Sequence, residues 1–87
     1  MYLPVNSILR FLTSEFLNMT AFDLEINNVA KVINIERTDL GLIVLNRGVR
    51  IGTTIKKIRN VSDTYYVDIG GYPIIFSGIE LKTIHVE

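Results

Sequence analysis

The chain has 87 residues, with nine Lys plus Arg against nine Asp plus Glu, 48% hydrophobic residues, and neither Cys nor Trp. This length fits a single domain, 1–87, with a thin core, and the apolar content excludes a disordered chain. Without Cys there is no disulfide framework or thiolate metal site, and no run approaches the ~18 apolar residues of a membrane span.

Branched side chains dominate: 13 Ile, 8 Val and 7 Thr stand against 2 Ala. Such residues lose rotamer freedom in helices and pack well on pleated surfaces, so strands are expected to prevail. The first cation is Arg10, and polar Asn6 and Ser7 interrupt the apolar start. This is a poor secretion signal, so the expected location is the cytoplasm.

In chain order, residues 4–19 read as a helix. Ile8, Leu9, Phe11, Leu12 and Phe16 fall in one arc, with Arg10, Thr13, Ser14 and Asn18 opposite. Pro4 suits the first turn, and Asn6 or Ser7 suits the N-cap. Glu15 lies inside the apolar arc, where its carboxylate either bends out to solvent or meets a partner's cation.

From Thr20 the period becomes two. Phe22, Leu24 and Ile26 alternate with Asp23, Glu25 and Asn27, which predicts a strand. Asn27-Asn28 is a turn signal. Residues 29–37 form a second strand, closed by Thr38-Asp39-Leu40-Gly41. Leu42 to Leu45 is apolar on both faces and is expected to be a central strand. Asn46-Arg47-Gly48 reads as a hairpin connection. From Val49 a further strand alternates until Lys56-Lys57. The pattern then slips, as a β-bulge or a sharp bend would make it. Asn60 to Thr64 is a polar loop, and Tyr65, Val67 and Ile69 alternate beyond it. Gly70-Gly71 is a strong two-residue hairpin signal, and Pro73 marks a strand start or an edge. Ile74 to Phe76 is apolar, Ser77-Gly78 breaks the run, and Leu81, Thr83 and His85 alternate to the end. The expected fold is mainly β with one N-terminal helix (α+β). About seven short strands over 22–86 would form a helix-capped small antiparallel barrel or a strongly bent meander.

Within 52–86, Gly52-Thr53-Thr54-Ile55-Lys56-Lys57-Ile58, Tyr65-Tyr66-Val67-Asp68-Ile69-Gly70-Gly71, Pro73-Ile74 and Ile79-Glu80-Leu81-Lys82 resemble the small Sm-like and SH3-like barrels. The likeness is greatest to the barrel segment of YolD-like bacterial and phage accessory proteins. It implies a bent strand with a Gly, a hairpin, a one-turn element and a closing strand, in a protein without catalytic function. Arg59 to Asp63 departs from the Asp-x-x-x-Asn of an Sm RNA pocket.

Charge is polarised although it sums to zero. Arg47, Arg50, Lys56, Lys57 and Arg59 lie within 13 residues that contain no acid. With Tyr66 and Tyr72 they form the expected binding surface, because exposed aromatics and Arg anchor protein contacts. The same cations beside rings suit a single-stranded nucleic acid, although the sequence pI near 6.6 is low for that role. Asp23 and Glu25 would share an acidic face with Glu36 and Asp39 nearby, without calcium-loop spacing. His85 is the lone His, lacks companion ligands, and is expected to be a partly exposed strand residue. No catalytic set, metal site or cofactor is expected. The functional expectation is a non-enzymatic protein-binding module, of the kind phages and mobile elements use to bind and modulate a host protein. Self-association is one form of that expectation, and a nucleic-acid-binding barrel is the alternative.

Overall fold

The computed structural model describes residues 19–87. The expected helix over 4–19, with Glu15 on its apolar arc, lies outside the described residues apart from Met19. Five strands follow: β1 (Val29–Ile35), β2 (Thr54–Val61), β3 (Thr64–Ile69), β4 (Tyr72–Ser77) and β5 (Ile84–Val86). They form one antiparallel sheet in the order β4-β3-β2-β1-β5. The mainly β antiparallel architecture is as expected, with five strands rather than about seven.

Two expected strands are not strands. Phe22 to Ile26 begins as a one-turn 3-10 segment, Ala21–Asp23. Asp23 Oδ2 accepts from the Thr20 N–H at 3.0 Å and pulls the chain into a turn, while Ala21 and Leu24 enter the core. The turn at Asn27 does form, with Asn27 at φ 71°.

The second is Leu42 to Leu45, which lies inside helix α1 (Asp39–Asn46). Thr38 caps this helix, its Oγ1 accepting from Gly41 N at 3.1 Å. Arg47 is the C-cap, and Gly48 follows at φ 103°, so Asn46-Arg47-Gly48 is a helix stop rather than a hairpin. Only glycine fits at position 41, because a Cβ there would overlap the Glu36 carbonyl oxygen. The strand expected from Val49 starts only at Thr54, after a turn through Ile51 and Gly52.

The later half follows its turn signals. The loop expected over 60–64 narrows to a two-residue turn, with Asn60 and Val61 on β2 and Thr64 on β3. The strand expected from Leu81 begins only at Ile84, because Leu81 ends a helical turn. β2 and β3 join through Ser62-Asp63, with Ser62 at φ 54°. Gly70 and Gly71 sit at φ 56° and 101°, as a primed two-residue hairpin requires. Pro73 lies on β4, an edge strand, where its missing N–H costs nothing. A single turn, α2 (Gly78–Leu81), precedes β5.

β1 changes partner midway. Residues 29–31 pair with β2 and residues 32–35 pair with β5, across a register shift between Val32 and Asn34. This switch closes the sheet around a core of Val32, Val44, Val49, Ile55, Val67, Phe76, Leu81, Ile84 and Val86, all fully buried. Full burial of such a side chain contributes about 1.5–3 kcal/mol before chain entropy is counted. Among the described residues no helix is long and apolar enough to cross a membrane.

Candidate functional site

The basic stretch does not form one surface. Lys57 points inward and is only 5% exposed. Its Nζ donates to Phe22 O at 2.7 Å and lies 5.6 Å and 5.2 Å from the Phe22 and Tyr65 ring centroids. Burial lowers its pKa below the ordinary value, and Asp23 nearby opposes that shift. As a surface contact Lys57 is therefore corrected to an interior tether holding the 3-10 segment on β2.

Arg47 and Arg50 are committed to groups of the protein itself. Arg47 reaches Glu80 with both Nη atoms, at 3.0 and 3.2 Å, and also donates to Ile75 O at 3.0 Å. Arg50 donates to Leu45 O and Val49 O. These two cations hold α1 to β4, α2 and the following turn.

Lys56, Arg59 and Tyr66 do share a face. Lys56 stands opposite Asp68, and Arg59 stands opposite Tyr66. The expected slip is real: register shifts between Lys57 and Arg59, with Ile58 as the extra residue. Strict alternation would put Arg59 on the inward side with Lys57. The bulge turns it outward, where its guanidinium lies 4.6 Å from the Tyr66 ring centroid. On β4, Ile75 is opposite Tyr66 and is 52% exposed. Tyr72 is exposed but pairs with Ile69, so it follows the alternation of Phe76 rather than that of Ile75.

The acidic residues do not assemble. Asp23 is occupied with Thr20, and neither Asp23 nor Glu25 stands on a strand. Glu36 Oε2 lies 3.0 Å from His85 Nε2, and His85 is a half-buried residue of β5. Among the described residues no group of three or more His, Cys, Asp and Glu is placed to hold a metal ion.

Sequence reasoning missed a second surface, because it depends on α1 being a helix. Ile35, Leu42, Leu45 and Ile51 line an apolar cleft of about 340 Å³ between β1 and α1, with Glu36 and Arg37 beside it. Leu42 is 58% exposed and Ile51 65%. The signal for α1 is a Thr38 cap and an Arg47-Gly48 stop on either side of eight residues.

No protein-family model matches the chain, and no curated protein matches it. Solved structures do. An FeoA-like protein from Clostridium acetobutylicum aligns with a TM-score of 0.74 at 25% identity, over 79% of this chain and 84% of its own. FeoA of Stenotrophomonas maltophilia was solved with zinc and is described as a prokaryotic SH3 domain protein and candidate ferrous iron transport activating factor. It aligns with a TM-score of 0.70 at 16% identity, over 79% of this chain and 89% of its own. The repressor ScaR with bound Zn2+ matches with a TM-score of 0.67 at 19% identity, over 79% of this chain but only 36% of its own.

The fold is therefore that of an SH3-like small barrel. These neighbours overturn the expected role as a phage or mobile-element accessory protein that modulates a host protein, since FeoA proteins match over nearly their whole length. They lend no support to the Sm-like and YolD-like likeness, to self-association or to the nucleic-acid alternative.

Proposed function

We propose that the chain is a non-catalytic accessory module of ferrous iron transport, acting in the cytoplasm by docking on a protein component of the transport system. One observation carries this reading: the FeoA-like protein of Clostridium acetobutylicum shares the fold over 84% of its length at 25% identity. The exposed chemistry supports it, because an apolar cleft beside α1 and a cation–aromatic strip on the sheet are features of contact surfaces.

The test is uptake of radiolabelled ferrous iron by the natural host, with the gene deleted and then restored. Deletion should lower the initial rate of ferrous uptake, leave ferric uptake unchanged, and be reversed by the full-length chain. Equal ferrous uptake with and without the chain would remove the reading.

A further inference from the structure

The four strands β1 to β4 carry Lys31, Lys56, Lys57 and Arg59 against a single acid, Asp68. Lys57 points inward, and Asp68 Oδ2 accepts from Gly71 N at 3.3 Å, at the hairpin end. Lys31, Lys56 and Arg59 are all exposed, and none forms an ion pair among the described residues. Aliphatic groups lie between these cations. Val29 stands opposite Lys56 and is 58% exposed, and Ile75 flanks Tyr66. The face thus alternates cationic and apolar groups. Asp68 stands opposite Lys56 and Glu87 opposite Lys31, so the cation with no acid opposite it is Arg59, which faces Tyr66.

Arg59 is held ready for a specific ligand. The Arg59 guanidinium carbon lies 4.6 Å from the Tyr66 ring centroid, and among the described residues no hydrogen bond engages its N–H groups. The planar guanidinium fork matches a carboxylate through two parallel hydrogen bonds. Because the side chain is already ordered, less entropy is lost when the contact forms.

We propose that the outer face of β1 to β4 docks an acidic, aliphatic-bearing segment of a protein partner, with a carboxylate seated on Arg59. This rests on reading the chain as a docking module and names its surface and its partner's chemistry. A peptide carrying both Asp or Glu and aliphatic residues meets both kinds of group on the face. A phosphate polymer would meet Val29 and Ile75 between its charges, with no apolar groups of its own to cover them.

The test uses the full chain and two matched short amphipathic peptides, with Glu or with Lys at the polar positions and the same aliphatic residues. Amide chemical shifts are followed by NMR. The Glu peptide should shift Lys31, Lys56, Arg59 and Tyr66, and the Lys peptide should not. Arg59→Glu should weaken Glu-peptide binding about tenfold or more, because it replaces an attraction by a repulsion. Arg59→Lys keeps the charge, loses the fork and should weaken it less. Retained amide dispersion in each variant shows that the fold survives.

Equal response to both peptides, shifts confined to the α1 cleft, or indifference to Arg59→Glu would overturn the proposal. So would stronger binding to phosphatidylglycerol vesicles or single-stranded DNA than to the Glu peptide. Ferrous uptake separates this from the functional reading. If Arg59→Glu with Lys56→Glu restores uptake fully, the docking face is wrong and the transport role stands. If the wild-type chain has no effect on uptake yet binds the Glu peptide through Arg59, the transport role is wrong and the docking face stands.

Discussion

A buried ammonium group fixes how one part of this domain responds to pH. Lys57 gives up most of its water for one carbonyl and two aromatic rings. Desolvation is the larger influence, so its folded pKa lies below the 10.5 of an unperturbed lysine. The unfolded chain therefore holds this proton more tightly than the folded one. Between the lowered folded value and 10.5, unfolding takes up a proton, so the Lys57 contribution to stability rises with pH across that window. Below the window the charged group carries its full desolvation cost. Lys57→Met removes the titration but keeps the length of the side chain. The thermal midpoint of the wild type minus that of Lys57→Met should grow as pH rises from neutral towards 10.5. A gap that shrinks instead would mean that Asp23 and the rings outweigh desolvation.

Between elements, Arg47 is the main polar fastening. It joins the end of α1 to Glu80 in α2 and to the β4 backbone at Ile75. Glu80 also closes the Ser77 cap, accepting from Ser77 N at 2.8 Å. Arg47 is partly exposed, which limits the strength of the pair. A double-mutant cycle of Arg47→Ala and Glu80→Gln, read by urea denaturation, should give a coupling of about 1 kcal/mol. Additive losses would show that the Arg47–Glu80 pair does not hold α1 in place. The same elements show where sequence patterning succeeds. From Thr54 onward, turn residues with fixed backbone demands (Gly70, Gly71 and Pro73) and the slip after Lys57 marked β2, β3 and β4. Before that, Leu42-Ile43-Val44-Leu45 reads as a central strand because it is apolar on both faces, a pattern that a short buried helix shares. Caps at both ends and packing of Val44 made it a helix. That error hid the cleft beside α1. It also left Arg47 in a supposed hairpin, far from the Glu80 it binds. Lys57 was misplaced for a different reason: charge alone suggested exposure, while period-two alternation from Ile55 pointed inward.

On the scale of the whole molecule, Met19 and Thr20 lie against the last strand. Met19 O accepts from Val86 N at 3.0 Å, and Thr20 bridges His85 across the edge of β5. Because residues 19 and 86 touch, a short linker can join 87 to 19 and the chain can be opened elsewhere without dividing the core. A circular permutant of 19–87, joined through a short Gly-Ser linker and opened between Gly70 and Gly71, should keep a cooperative thermal transition. Its midpoint should fall, because the β3–β4 hairpin is no longer tethered, and loss of all cooperativity would contradict this. Residues 19 and 20 also occupy the outer edge of β5, which keeps that edge from pairing with a strand of another molecule.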